Sequence, residues 1–238
     1  MAPAPSEGPP TPGGAPTSEG AARAGERPLS GLLIDWGGVL TTNLFFSFHA
    51  HCVRAGIDPR KLLGRFKADP EARELLIALE TGRITEEEFE RSFATLLGVA
   101  PEGLIDGLFA GVKPDEVMVQ AVRLAHDGGI RTALVSNSWG VHRYPREMFD
   151  VLFDGIVISG EEGIRKPSRR MYLLGAERAG VAPEACVYVD DLPFNLTPAR
   201  ELGMVAIHHT DAQSTVNALE DLFGVGLRSG AGAPAAGR

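Results

Sequence analysis

The hydrophobic positions of this chain change their spacing along its length, and each change marks a different kind of structure. Between residues 43 and 113 apolar side chains such as Phe45, Phe48 and Cys52 recur every three or four positions, which predicts a run of helices. From residue 114 onward short apolar runs alternate with helical patterns, which predicts a parallel sheet with right-handed crossovers. Residues 1–29 are rich in Pro, Gly and Ala and predict a disordered tail.

Proline and capping residues locate the helices of the segment from 43 to 113. Asp58-Pro59 and Asp69-Pro70 each predict a helix start, because proline suits the first helical turn. Thr85 with Glu88 three residues later forms a capping box, and another helix is expected near Pro101 to Phe109. We therefore expect an all-helical cap inserted directly after the first strand.

The remaining elements predict an α/β fold, a doubly wound and mainly parallel Rossmann-like sheet. Its expected strands share short apolar runs, and they lie at 32–34, 131–135, 155–158, 186–189 and 204–208. The α/β core then comprises residues 30–42 and 114–226, interrupted by the helical cap at 43–113. The residues from 227 to 238 predict a second disordered tail.

Polar side chains follow several of these strands at the point where each strand ends. Asp35, Ser136 and the pair Asp190-Asp191 each come directly after an apolar run, and Lys166 precedes a helix after another strand. Ligands of doubly wound sheets bind at the carboxyl ends of the strands, so we expect these side chains to share one crevice.

This set of residues suits the transfer of a phosphoryl group. A carboxylate such as Asp35 can attack phosphorus and divide a difficult hydrolysis into two easier steps. Clustered carboxylates repel one another unless a cation joins them, and oxygen ligands favour Mg²⁺. A serine hydroxyl and a lysine ammonium can hold the phosphate oxygens.

The amino-acid composition excludes some classes of binding partner. A formal net charge of −8 argues against nonspecific nucleic-acid binding, which needs a basic surface, but it does not rule out the small phosphorylated substrate that the site residues suggest, because local amides and one or two cations can hold a phosphate. Cys52 and Cys186 are too few for a disulfide framework, and no apolar stretch approaches a membrane span. The amino-terminal region lacks the pattern of a secretory signal. We therefore expect a cytoplasmic protein that contacts no membrane, and the residues indicate no oligomeric state.

The motifs in this order resemble the haloacid dehalogenase superfamily, in the branch with a helical cap. The stretch from Val189 through Asp190-Asp191-Leu192-Pro193 to Met204 is similar to the phosphatase domain of soluble epoxide hydrolases. The stretch from Thr132 to Trp139 and the pair Lys166-Pro167 resemble the same domain. The likeness covers about residues 30 to 226.

The resemblance implies a Mg²⁺-dependent phosphatase with an aspartyl-phosphate intermediate. By this likeness Asp35 is the nucleophile, and Asp35, Asp190 and Asp191 are all metal ligands. Ser136 and Asn137 would bind the phosphoryl group, and Lys166 would neutralise both Asp35 and the phosphate.

Gly37 departs from the family pattern, which usually has a second aspartate there. Its main-chain carbonyl remains as a metal ligand, but the side chain that acts as general acid is missing. This absence predicts a preference for good leaving groups, such as aryl or anomeric phosphates, or an acid supplied elsewhere. Two alternatives stay open, a metal-independent haloacid dehalogenase-like hydrolase and a non-catalytic phosphate-binding protein.

Overall fold

Five parallel strands form the centre of the molecule in the order β3-β2-β1-β4-β5. The computed structural model describes residues 28–228. The strands are β1 (Gly31–Ile34), β2 (Arg131–Ser136), β3 (Gly155–Ile158), β4 (Cys186–Asp190) and β5 (Val205–His208). The predicted strands are confirmed, but β2 and β4 each include the polar residue expected to follow them. Ser136 and Asp190 remain in the ladder because they pair with Ile158 and His208.

Ten α-helices occur in the described part of the chain. They are α1 (Leu44–Arg54), α2 (Pro59–Ala68), α3 (Pro70–Glu80), α4 (Glu86–Leu97), α5 (Leu104–Phe109), α6 (Glu116–Asp127), α7 (Ser159–Glu162), α8 (Arg169–Ala179), α9 (Pro193–Glu201) and α10 (Ala212–Phe223). The one-turn α7 is too short, at four residues, for its sequence to show a helical period.

Helices cover both faces of the sheet, which confirms the doubly wound α/β fold. Adjacent residues of a strand point to opposite faces. Leu32 and Ile34 accordingly pack in the cluster that includes Met118 and Val122 of α6, whereas Leu33 packs with Met171 of α8. After β1 the chain adds β2 and β3 along one edge of that strand. It then returns to add β4 and β5 along the opposite edge. The strand order therefore reverses at β1, where such sheets bind their ligands.

The helices α1 to α5, here called the helical segment, have an apolar core of their own. Phe48, Phe89, Phe93 and Leu97 are among its buried members. Trp139, from the loop after β2, also enters this core, and its ring lies 5.4 Å from that of Phe48 between centroids. The regularly spaced apolar side chains of the helical segment thus pack mainly against one another.

The helical segment leaves and rejoins the sheet domain at adjacent points. Thr41 and Pro114 form an isolated antiparallel bridge, and the Thr42 amide donates to the Lys113 carbonyl at 2.8 Å. Farther away, the buried Glu80 at the end of α3 forms an ion pair with Arg165. The Ser159 hydroxyl donates to the Glu80 carbonyl. These contacts tie the helical segment to the loop that precedes Lys166.

The packed chain extends slightly beyond the boundaries expected from the sequence. Residues 1–27 and 229–238 of the two expected tails lie outside the described residues. Leu227, expected to begin the second tail, is only 2% exposed and its amide donates to Glu220. A single leucine in a glycine-rich stretch shows no period that would reveal this packing. None of the helices between residues 28 and 228 is long and apolar enough to cross a bilayer.

We expect Arg165→Met to lower the free energy of unfolding by about 3 kcal/mol, because it leaves the Glu80 carboxylate buried without a partner. Burial raises the pKa of Glu80 to about 7, against the opposing charge of Arg165. The folded state therefore holds this proton more tightly than the unfolded chain, so the full deficit is expected at about pH 9, where Glu80 is ionised, and it should shrink as the pH falls toward about 7. Denaturant unfolding at several pH values measures this deficit.

The matched control is the double variant Glu80→Gln, Arg165→Met, which carries no buried charge at this place. It should recover most of the lost stability and show little of the pH dependence. A deficit that is the same in both variants, or constant from about pH 8 to about pH 5, would contradict this account of the pair.

Candidate active site

One buried ammonium group joins two of the predicted site residues. The Lys166 side chain is 1% exposed, and its Nζ lies 2.8 Å from Asp35 Oδ1 and 2.7 Å from Asp190 Oδ2. Asp35 and Asp190 are brought together because β1 and β4 are parallel neighbours, with Ile34 beside Val189. The Asp35 amide continues this alignment by donating to the Val189 carbonyl at 3.0 Å.

Asp190 is held by the predicted Lys166 and by two side chains, Tyr188 and Asn195, that sequence reasoning did not assign to the site. The Tyr188 hydroxyl and the Lys166 ammonium donate to Oδ2, and the Leu192 amide donates to Oδ1 at 2.9 Å. The Asn195 side-chain amide reaches both oxygens, at 3.0 and 3.1 Å. Asp190 is fully buried and thus has its position and orientation determined on every side.

Asp191 completes a cluster of three carboxylates. One oxygen from each of Asp35, Asp190 and Asp191 lies within 4.8 Å of the others. Gly38 makes this approach possible, since a Cβ there would lie 2.6 Å from Asp191 Oδ2 and its φ is +79°. Three carboxylates beside one lysine leave an excess of negative charge, and an all-oxygen set of this kind fits a hard divalent cation such as Mg²⁺.

The pKa values of these groups reflect the same excess of negative charge. Burial raises the pKa of Asp35 to about 7, although the Lys166 charge opposes the shift. Burial and the neighbouring Asp190 raise the pKa of Asp191 to about 6. Burial also opposes ionisation of Asp190, but the Lys166 charge and hydrogen bonds hold its pKa below its ordinary value. The protein alone therefore does not place enough positive charge beside Asp35 and Asp191 to hold their pKa values at the ordinary level.

Ser136 lies at the end of β2 and is held by a tyrosine. It is 2% exposed, and its Oγ accepts a hydrogen bond of 3.0 Å from the Tyr144 hydroxyl. Because burial raises the pKa of Tyr144, this hydroxyl stays protonated and remains the donor. The Ser136 proton is then free to be donated to another acceptor.

The Asn137 side chain contacts the main chain of Lys166. Its Oδ1 accepts from the Lys166 amide at 2.8 Å, and its Nδ2 donates to the Lys166 carbonyl at 3.2 Å. Asn137 therefore connects the end of β2 to the loop that carries the buried lysine. Its expected role in binding the phosphoryl group stays a prediction.

Gly37 lies opposite an apolar side chain from the helical segment. A Cβ at this position would lie 2.9 Å from Cδ1 of Leu44. The space next to Asp35 that a longer side chain at 37 would enter is thus bordered by a methyl group. The general acid that the resemblance leads one to expect has no counterpart at this position.

A cavity of about 510 Å³ lies between the sheet edge and the helical segment. Gly37, Ser136 and Asn137 line it from the sheet domain, and Leu44 and Phe109 line it from the helical segment. The cavity thus reaches the residues that the sequence places around the reacting group.

Sequence reasoning did not identify Tyr188, Tyr144 or Glu80 as neighbours of the site residues, although the sequence contains a signal for Tyr188. Tyr188 lies two positions before Asp190, and residues i and i+2 of a strand share a face. Tyr144 and Glu80 have no such signal, because loop and interdomain packing bring them close. His208 also lies next to the cluster, since β5 pairs with β4 and its Nε2 lies 3.1 Å from the Asp191 carbonyl oxygen.

Sequence and structure connect the chain to one family of hydrolases. The sequence model of the haloacid dehalogenase-like hydrolase family matches residues 29–203. Bifunctional epoxide hydrolase 2 of Rattus norvegicus is 30% identical over 114 residues, which cover 45% of this chain and 21% of the rat protein. The sesquiterpene phosphatase astK of Aspergillus oryzae is 32% identical over 118 residues, which cover 48% of this chain and 59% of that protein.

The chain spans less than two thirds of the length of either relative. Among solved structures, the magnesium complex of a HAD family enzyme from Bacteroides thetaiotaomicron matches with a TM-score of 0.57 at 22% identity. The match covers 77% of this chain and 94% of that one, which shows a shared fold. On the strength of the family match over residues 29–203, this chain belongs to the haloacid dehalogenase-like hydrolases.

Proposed function

We propose that the chain is a Mg²⁺-dependent phosphatase that hydrolyses a small phosphorylated metabolite through a phosphorylated Asp35. The observation that carries this proposal is the cluster of Asp35, Asp190 and Asp191 within 4.8 Å, beside a single lysine. A relative that is named a phosphatase and a fold neighbour that was solved with magnesium support the same function.

Asp35 is the nucleophile in this proposal. The Trp36 amide at 2.7 Å and Lys166 Nζ at 2.8 Å both contact its Oδ1, so this oxygen is restrained and Oδ2 is available to attack phosphorus. Lys166 only partly offsets the effect of burial on the pKa of Asp35, and a divalent cation at the carboxylate cluster would favour the ionised nucleophile further. An oriented carboxylate that needs no further rearrangement lowers the entropic part of the barrier.

Ser136 and Lys166 hold the phosphoryl group during the transfer. The Tyr144 hydroxyl occupies an acceptor site on Ser136 Oγ, which leaves the serine proton to be donated to a phosphoryl oxygen. The Lys166 ammonium lies beside the nucleophile and offsets negative charge that develops on the phosphoryl oxygens. Asn137 restrains the main chain of Lys166 and is expected to contact the phosphoryl group as well.

A bound Mg²⁺ would be held by Asp35, Asp191 and the Gly37 main-chain carbonyl, with Asp190 beside them. Mg²⁺ at this place would offset the charge of the carboxylates and of the phosphate. Since Asp190 already accepts hydrogen bonds at both oxygens, its main task is to position Lys166 and to add negative charge to the cation site.

The helical segment acts as a cap over the reaction. It closes one side of the cavity at Leu44 and Phe109, and it is anchored to the Lys166 loop by Glu80 and Arg165. A cap of this kind limits the access of bulk water while the substrate is bound.

We expect Asp35→Asn to abolish phosphate release from 4-nitrophenyl phosphate, because an amide cannot form the acyl phosphate. Chelation should abolish the activity of the unaltered chain, and added Mg²⁺ should restore it. Steady-state assays with and without chelator measure both effects, and Phe46→Leu on the exposed face of α1 serves as a control.

The alternatives give different results in the same assays. A metal-independent dehalogenase-like hydrolase would release halide from a haloacid in the presence of chelator. A non-catalytic phosphate-binding protein would bind inorganic phosphate and release none from any ester. Either pattern would contradict the proposed phosphatase.

We expect the pair of changes Gly37→Asp and Leu44→Ala to raise kcat/KM, which reports the step in which the alcohol leaves, by about 10²-fold for an alkyl phosphate, the lower end of general acid–base contributions. Removal of the Leu44 side chain makes room for the new carboxyl group, which protonates the departing alcohol. Leu44→Ala alone is the control and should give no gain. An equal gain for 4-nitrophenyl phosphate, which needs no protonation, would argue against this role.

We expect Tyr144→Phe to lower kcat about fivefold to tenfold, since one hydrogen bond that orients Ser136 is lost. A double-mutant cycle provides the control, because Tyr144→Phe should have no further effect in a Ser136→Ala background. Additive losses in that cycle would mean that Tyr144 acts independently of Ser136.

A further inference from the structure

Four aromatic rings line the cavity beside the proposed phosphoryl site. Trp36 and Tyr144 form one pair, with ring centroids 6.0 Å apart, and Phe109 and Trp139 form another at 5.6 Å. Trp139 is further held by the core of the helical segment, so its ring has a determined position before any ligand binds.

The charged side chains that line the cavity from the loop after β2 are already paired. Arg143 contacts Glu86 and lies 2.8 Å from Asp106. His142 Nδ1 lies 3.0 Å from Glu86 Oε1. A sugar in this cavity would need hydrogen-bond partners for each of its hydroxyl groups, and Arg143 and His142 are already engaged with acidic side chains, which leaves Lys113 as the lining cation without an ion pair to the described residues. A planar apolar group makes no such demand.

The surroundings of the leaving oxygen favour the same kind of substrate. Gly37 supplies no proton, and Leu44 Cδ1 borders the space where a side chain at 37 would lie. A leaving group that departs readily as an anion needs no proton from this position. A phenol ionises near pH 10, as the tyrosine side chain does, and is far more acidic than an aliphatic alcohol.

We propose that the site hydrolyses phosphate monoesters of aromatic alcohols, with the aromatic ring bound in the cavity lined by Trp36, Phe109, Trp139 and Tyr144. This inference rests on the proposed phosphatase function and names its substrate class. Among the good leaving groups expected from Gly37, the aromatic walls select the aryl phosphates over the anomeric sugar phosphates.

The reaction balances without a general acid. Asp35 Oδ2 forms a bond to phosphorus while the bond from phosphorus to the aryl oxygen breaks, and its electron pair leaves with the phenolate. The phenolate takes a proton from solvent. Water then attacks the phosphorus of phospho-Asp35, which releases inorganic phosphate, a proton and the free carboxylate.

Two series of compounds test the electronic and the shape requirement separately. Ring-substituted phenyl phosphates vary the acidity of the leaving group at nearly constant shape, and kcat/KM, which reports the step in which the phenol leaves, should rise as the phenol becomes more acidic. Phenylphosphonate and cyclohexylphosphonate cannot be hydrolysed in this way, so they report binding alone. The planar phenylphosphonate should inhibit at a concentration at least tenfold lower than cyclohexylphosphonate.

A variant of one cavity residue tests whether the aromatic rings cause the preference for phenylphosphonate over cyclohexylphosphonate. Phe109→Leu should reduce the preference for phenylphosphonate about fivefold or more, with inhibition by inorganic phosphate unchanged. Phe46→Leu is the matched control, since Phe46 is 80% exposed and does not line the cavity.

The outcomes separate this inference from the proposed function. Asp35-dependent hydrolysis of aliphatic or sugar phosphates at rates equal to those of aryl phosphates would overturn the aryl inference and leave the phosphatase intact. Equal inhibition by the two phosphonates would also overturn it. If no ester, including 4-nitrophenyl phosphate, releases phosphate in an Asp35-dependent manner, the proposed function itself fails.

Discussion

The buried contact of Lys166 with Asp35 and Asp190 is the interaction on which the rest of the structure depends. A lysine that is 1% exposed must be paired, because an isolated buried ammonium is costly. The two carboxylates come from neighbouring strands, so the order of β1 and β4 in the sheet brings them to the same ammonium. Asp191 adds a third negative charge through the close approach that Gly38 permits, and this excess is what a divalent cation would offset.

The helical segment adds a second constraint, which acts on the leaving group. The usual aspartate is replaced by Gly37, and the space beside it is bordered by the Leu44 side chain. The same segment contributes Phe109 and surrounds Trp139, which make the adjoining cavity aromatic. The missing acid and the apolar cavity are therefore consistent with each other. A substrate whose alcohol leaves readily as an anion would need no proton, and an aromatic alcohol would also fit the walls.

Much of this arrangement could be predicted from the sequence, because it depends on local patterns. The apolar runs that precede Asp35, Ser136 and Asp190 indicate strands of a parallel sheet, and the ends of such strands meet at one edge. The contacts of Tyr144 with Ser136 and of Glu80 with Arg165 could not be predicted in this way. They join segments that are distant in sequence or irregular in conformation, and no period relates their positions.

The most direct test of the account asks whether Asp35 becomes phosphorylated. Since Gly37 supplies no base to activate water, the acyl phosphate should accumulate during turnover of 4-nitrophenyl phosphate with Mg²⁺. Rapid acid quenching followed by borohydride reduction converts an aspartyl phosphate to homoserine, which peptide mass spectrometry can locate. We expect homoserine at position 35. Continued release of phosphate with only unmodified aspartate at position 35, or with homoserine at another position, would contradict the account.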